Sequence, residues 1–402
     1  MKRKCSLMRK WAIFSVIYFS CVVAIMNQFK VPPVMGILMG QFHVDTVVAG
    51  LLMSLFSVTG IILAFPGAAF LKRIGAKRSG MVALGCIVLG CVVGALSPGP
   101  SNLMAGRVIE GIGLALIGVI APAVVAMIFD RDEVGLPMGI LATWFPVGSA
   151  IAFNISHPIV QAFGSWKASW WFGGALALIA FILFDIVVSV PQRGKAGYGH
   201  RGRSVSYSEG LKNPKIWLLG LTFFFTILGG LGFLTWAPKY FMDVFGMNMG
   251  TANFTASIGF MWSAPGGIIA GIMFNKIKGN KDIIIVICAV LATLAYTPGF
   301  LVSLQYMYVL LAAIGLVTGY LCGTIWAMVP GIMTFPAFIP LGMSVIALMQ
   351  GLSNFLAAPL WGYFVDGNNW TKAVMPTAVI QILGVICAIA FVRTKRYGHR
   401  YF

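Results

Sequence analysis

Leu71-Lys72-Arg73-Ile74-Gly75-Ala76-Lys77-Arg78 places four cations in eight residues, with no acid among them, between two long apolar runs. The run before it, Thr46 to Leu71, and the run after it, Arg78 to Leu96, are each long enough to cross a bilayer as a helix, which takes roughly 20 apolar residues. Irregular backbone cannot face lipid, so these runs must be helices and the basic stretch must be the loop between them. Lys and Arg collect in cytoplasmic loops, which fixes the side on which this loop lies.

The same alternation extends in both directions. Before the midpoint, candidate spans are Trp11 to Met39, Thr46 to Leu71, Arg78 to Leu96, Asn102 to Phe129, Leu136 to Val160 and Lys167 to Val190. After a polar stretch come Ile216 to Phe241, Gly250 to Phe274, Ile283 to Leu304, Tyr306 to Met333, Leu341 to Phe364 and Ala373 to Val392. The expected architecture is an all-α membrane protein of twelve transmembrane helices. Its parts would be an N-terminal six-helix bundle (1–190), a cytoplasmic linker (191–215) and a C-terminal six-helix bundle (216–402). Composition agrees, since 59% hydrophobic and 9% charged residues over a 402-residue chain leave too little polar surface for a water-soluble domain.

Of the 28 Lys and Arg residues, 23 fall at the N-terminus, the C-terminus or alternate loops. The other side keeps Lys167, Lys239 and Lys372, while Lys30 and Arg107 fall inside spans. Both termini are therefore expected in the cytoplasm, with the protein in the inner membrane. A net charge of +18 would suggest nucleic acid for a soluble protein, but the positive-inside bias accounts for it without such a partner. The five cations of Met1 to Lys10 precede an apolar run without an A-x-A-like site, so this helix is read as retained.

The seven cysteines show no CxxC or Cys/His spacing, so neither disulfide nor metal is implied. No phosphate loop of the G-x-x-x-x-G-K-[ST] type is present, and no cofactor is expected. Gly111, Gly113 and Gly118 resemble a nucleotide fingerprint but lie in mid-span, where close helix packing is the better account. A membrane-embedded enzyme would want a Ser/His, His/Asp or metal constellation at depth, and the only His near a span interior is His157.

Phe42 to Arg78 aligns without a gap on Phe245 to Lys281 at an offset of 203, about half the chain, which suggests two parallel six-helix repeats. Here the chain resembles the major facilitator superfamily. Leu71 to Arg78 sits where that family's loop between helices 2 and 3 reads D-R-x-G-R-R, with Lys72 in place of the usual acid and Asn275 so placed in the second half. Arg107-Val108-Ile109-Glu110-Gly111-Ile112-Gly113 is similar to the R-x-x-Q/E-G-x-G element of helix 4. Asn27-Gln28-Phe29-Lys30-Val31-Pro32-Pro33 resembles the N-x-R-P-P element of cyanate and nitroimidazole transporters. Trp144 to Ser149 matches only a fragment of the drug/proton antiporter signature. The resemblance implies two pseudo-symmetric bundles and secondary transport by a monomer.

Charges inside spans cost about 3 kcal/mol each on insertion scales and need a reason. Lys30 precedes Pro32 and Pro33, which remove the amide donors to the carbonyls of Gln28 and Phe29 and leave free acceptors beside a cation. Arg107 and Glu110 lie one turn apart on one helix face and can pair. Lys30, Arg107, Asn27 and Gln28 are thus expected to bind substrate, and Glu110 to exchange a proton. The excess of one positive charge favours a monoanion. In the second half Trp262, Tyr320, Trp326, Gln350, Ser353 and Asn354 are candidate contacts on helices that would line the cavity of such a fold. Helix 3, from Met81 to Leu96, has no charged or amide side chain and should face lipid and its neighbours. Asp185 is expected near the inner headgroups, paired with Arg193 or Lys195. Trp236, Tyr240 and Trp361 are expected to pack or to form an interfacial belt.

Proton-linked transport of a small organic or inorganic anion is the leading expectation, with proton-driven efflux of amphipathic compounds as the alternative, suggested by the 21 Met and 13% aromatic residues. Lys72, Arg73, Lys77 and Arg78 are expected to latch the cytoplasmic face against Asp130, Asp132 and Glu133, the densest acidic cluster of the chain.

Overall fold

A computed structural model describes residues 7–63, 66, 73–129, 133–189, 210–277, 281–333, 338–365 and 369–394. Among them are twelve helices long and apolar enough to cross a membrane. They are α1 (Leu7–Phe42), α2 (Thr46–Leu63), α3 (Ala76–Ala95), α4 (Pro100–Ile128), α5 (Leu136–Phe163) and α6 (Lys167–Val187), followed by α7 (Pro214–Phe245), α8 (Met249–Phe274), α9 (Asp282–Phe300), α10 (Leu304–Ile332), α11 (Ile339–Phe364) and α12 (Trp370–Arg393). Two are interrupted. Within α1, helix Leu7–Phe29 gives way to a 3-10 turn at Pro32–Val34 and resumes at Met35–Phe42. Within α5, Gly135–Leu141 and Trp144–Phe163 are separate helices.

Helix ends follow local chemistry. Asn213 caps α7 by accepting from the Lys215 amide at 3.0 Å, and Pro214 takes the first helical position, where its missing amide hydrogen costs nothing. Gly75 enters α3 at φ +84°, a conformation open to glycine without a Cβ penalty.

The chain divides into two compact units. One gathers α1 to α6 with Met249–Ser257 from the start of α8; the other gathers α7, the rest of α8 from Ile258, and α9 to α12.

In the first unit α4 is held by close backbone approach. A Cβ at Gly90 of α3 would come within 2.6 Å of Gly106 O and the Glu110 amide of α4, so only glycine lets these backbones meet. Gly111 leaves no room for a Cβ against Phe56 O of α2, and a Cβ at Gly113 would lie 2.5 Å from Ala83 O of α3. These glycines pack helices. The second unit repeats the device, with Gly315 of α10 against Gly259 O of α8. Phe56 and Gly259 are 203 positions apart, the offset of the sequence repeat.

The second unit is also tied at one end by a buried ion pair, Lys215 Nζ to Asp282 Oδ2 at 2.5 Å, with the ammonium 4.7 Å from the Phe391 ring centroid. Asn213 Nδ2 donates to Ile332 O at 3.1 Å, so α7, α9, α10 and α12 meet there. Trp236, Tyr240 and Trp361 are all buried, and Trp236 Nε1 donates to Ala358 O at 2.9 Å. They therefore pack inside the unit and form no interfacial belt. Outward faces carry apolar side chains such as Ile182 and Ile186 of α6 and Ile382 and Ile386 of α12, suited to lipid.

A buried charge cluster as the candidate functional site

The break in α1 begins with two imides. Pro32 and Pro33 have no amide hydrogen for the carbonyls one turn earlier, and buried acceptors without partners cost about 1–3 kcal/mol each. Arg107 of α4 supplies the donor that Pro32 withholds from Gln28 O, and reaches two further carbonyls besides. Its Nη2 reaches Gln28 O at 2.7 Å, Nη1 reaches Asn27 O at 2.6 Å, and Nε reaches Leu52 O of α2 at 3.0 Å. Nη1 also contacts Glu110 Oε2 at 2.5 Å, and the guanidinium lies 4.4 Å from the Phe56 ring centroid. The side chain is 0% exposed. Arg107 thus rivets the broken α1 and the middle of α2 onto α4, using the fan of donors that only guanidinium offers.

The other carboxylate oxygen of Glu110 takes Lys30 Nζ at 2.8 Å. Glu110 is itself wholly buried, and the absent side chain at Gly90 makes the space for it, since a Cβ there would be 2.6 Å from Glu110 Cγ. The ammonium, on a residue 3% exposed, also donates to Asn27 Oδ1 at 2.9 Å and Cys91 Sγ at 3.3 Å, and lies 4.7 Å from the Trp170 ring centroid. Asn27 is held in turn by its Nδ2 bonds to Val23 O at 3.0 Å and Gly173 O at 3.3 Å. Two cations and one carboxylate are buried together, so the cluster carries one positive charge in excess. A pocket of about 250 Å³, open space included, lies beside Lys30 and Asn27 between α1, α5 and α6.

The structure thus brings Lys30, Asn27, Arg107 and Glu110 into one cluster, with Gln28 contributing its carbonyl; the Gln28 side chain reaches Ser57 Oγ at 3.4 Å. The second-half candidates belong to the second unit. Trp262 is exposed on α8, while Tyr320 and Trp326 on α10 and Gln350 and Asn354 on α11 are half-buried. Trp326 packs edge-on to Phe223, and Ser353 donates to Phe224 O at 2.7 Å, a contact between α11 and α7.

Of the loop charges, Lys72, Asp130 and Asp132 lie outside the described residues. Arg73 and Arg78 are exposed. Glu133 takes Lys10 at 2.8 Å and Lys77 takes Asp185 at 2.9 Å; Arg193 and Lys195, the partners expected for Asp185, lie outside the described residues. Sequence reasoning also missed Cys91 and Trp170. Helix 3 was expected to stand apart from the site, yet through Gly90 and Cys91 it forms one of its walls.

Residues 17–337 match the Major Facilitator Superfamily. The hexuronate transporter of Bacillus subtilis (strain 168) is 25% identical over 364 residues, covering 86% of this chain and 85% of that protein. Protein spinster homolog 3 of Homo sapiens is 28% identical over 249 residues, 58% of this chain and 48% of that protein. Among solved structures, a bacterial homolog of the human lysosomal transporter Spinster, crystallised in an inward-facing and unoccupied conformation, superposes with a TM-score of 0.77 at 15% identity, covering 96% of this chain and 97% of that one.

Proposed function

The chain belongs to the major facilitator superfamily, and from that premise we propose that it moves a small organic monoanion across the membrane together with a proton, by alternating access. As a family member it is a multi-pass membrane protein and a secondary transporter, not an enzyme. The observation that supports the finer reading is the excess positive charge of the Lys30–Glu110–Arg107 cluster in a fully buried setting. A net charge in a low-dielectric interior is costly, and the cluster becomes neutral in two ways. It binds a monoanion, or the Lys30–Glu110 pair gives up one proton, since the guanidinium stays charged. A protein that alternates between these two neutral states takes up a proton whenever it takes up an anion. Hexuronates, named for the Bacillus subtilis relative, are themselves carboxylates.

Arg107 positions the cluster, and Lys30 is the cation assigned to the anion. The end of the chain's helices that carries the basic clusters is assigned to the cytoplasm, following the distribution of Lys and Arg in the sequence.

Lys30→Ala is expected to reduce anion uptake into proteoliposomes by at least a hundredfold at low substrate concentration, and Lys30→Arg to retain part of it. Wild-type uptake by Lys30→Ala would remove this residue from the site.

A further inference from the structure

Where α3 begins, the sequence sets Arg73, Lys77 and Arg78 within six residues. Lys77 is held by Asp185 of α6 at 2.9 Å, whereas Arg73 and Arg78 are exposed and make no ion pair among the described residues. One carboxylate against three cations leaves two positive charges in excess at this edge of the first unit. The first turn of α3 contains no acid to offset them. Arg78, Val82, Gly85 and Leu89 follow at intervals of three and four and so share one face of that helix. Val82 and Leu89 are exposed there. Gly85 leaves a shallow crevice toward α6, since a Cβ on it would only touch the edge of the Phe181 ring, at 3.8 Å. On the α6 side Leu178, Ile182 and Ile186 are exposed beside Asp185. From Arg78 to Leu89 the face runs about 16 Å at 1.5 Å per residue, close to half of a hydrocarbon core roughly 30 Å thick. A chain that starts at the cations and follows this face therefore crosses one leaflet.

From this juxtaposition we infer that the α3–α6 edge binds an anionic phospholipid. Its phosphate diester takes the guanidinium groups of Arg73 and Arg78, and an acyl chain lies along Val82, Gly85 and Leu89 against Phe181 and Ile182. Guanidinium suits that partner because its planar fork of donors matches two phosphate oxygens at once. The Lys77–Asp185 pair closes the crevice at the headgroup end and joins the two helices that form it. Charge sets the preference among lipids. A zwitterionic headgroup brings its own cation to a place already in excess of positive charge, whereas a headgroup with phosphate as its only charge neutralises part of that excess.

The test is native mass spectrometry of the purified full chain, titrated in detergent with phosphatidylglycerol and with phosphatidylcholine of the same acyl chains. Wild type is compared with Arg73→Gln, Arg78→Gln, Gly85→Phe and Lys276→Gln. Wild type is expected to bind phosphatidylglycerol roughly fivefold or more tighter than phosphatidylcholine, and each arginine substitution to weaken phosphatidylglycerol about fivefold. Gly85→Phe, whose ring would lie across the crevice, should weaken both lipids. Lys276→Gln, which removes an exposed cation of the second unit, should change neither. Because Arg73 and Arg78 are exposed, their substitutions report even if Gly85→Phe fails to fold. Equal binding of the two lipids by wild type would overturn the inference. So would a loss in Lys276→Gln as large as in Arg78→Gln, which would mean attraction to basic ends at large, or undiminished binding of phosphatidylglycerol by a folded Gly85→Phe protein. Displacement of the lipid by glycerol 3-phosphate at equal concentration would overturn it too, leaving a phosphate site with no use for the apolar face.

Discussion

Arg107→Ala is expected to cost the protein its stable fold and not only its transport. The guanidinium satisfies Asn27 O, Gln28 O and Leu52 O and pairs with Glu110, all in a fully buried setting. Breaking a buried ion pair costs about 3–5 kcal/mol, and each stranded acceptor adds about 1–3 kcal/mol. Together these rival the whole stability of about 5–15 kcal/mol usual for a folded domain. Arg107→Lys should not rescue it, because one ammonium cannot reach acceptors on α1, α2 and α4 at once. The readout is the yield of monodisperse protein and its melting temperature in detergent. A well-behaved Arg107→Ala protein that melts with wild type but fails to transport would return Arg107 to the role of substrate ligand.

Glu110→Gln should uncouple the carrier. The amide keeps the shape and can still accept from Lys30 or Arg107, but it removes the negative charge between them, so that neutral Lys30, charged Arg107 and a bound anion already balance and no proton need be taken up. Uptake driven by a pH gradient should fall to background while exchange of labelled for unlabelled anion continues. Stability should drop by about 3 kcal/mol, because two buried cations are left facing each other, and the added change Lys30→Gln should restore part of it. Gradient-driven uptake at the wild-type level by Glu110→Gln would mean that the proton travels elsewhere.

What the sequence made legible is what chain-local chemistry decides. Apolar length and the spacing of basic clusters mark all twelve spans, and Gly111 and Gly113 of helix 4 read correctly as packing because they lie in mid-span, whereas Gly118 meets only Trp144, at ordinary contact distance. The break in α1 is visible in Pro32 and Pro33. What fills it is not, because the donor to Gln28 O comes from a residue 79 positions away. The free carbonyls were set beside Lys30, the nearest cation in sequence; in space Arg107 is the cation that takes that of Gln28. Cys91 escaped notice because a neutral thiol in an apolar run has no signature, although Gly90 beside it hints at a close neighbour. Lys215 was counted among loop cations because its partner, Asp282, lies 67 positions on. Pairings between loops are hard to read for a related reason: solvated charges near helix ends have several opposite charges within reach, so that Glu133 finds Lys10 and Lys77 finds Asp185.

The central claim is that the cluster alternates between two neutral states, one short of a proton and one holding an anion, so that proton and anion are taken up together. It is tested most directly by counting protons taken up per anion bound, through calorimetric titration of the purified protein in two buffers of different ionisation enthalpy at the same pH. The account predicts an uptake of close to one proton per bound carboxylate in the wild type, because binding and protonation at one cluster are thermodynamically linked. Anion binding with no proton taken up would contradict it.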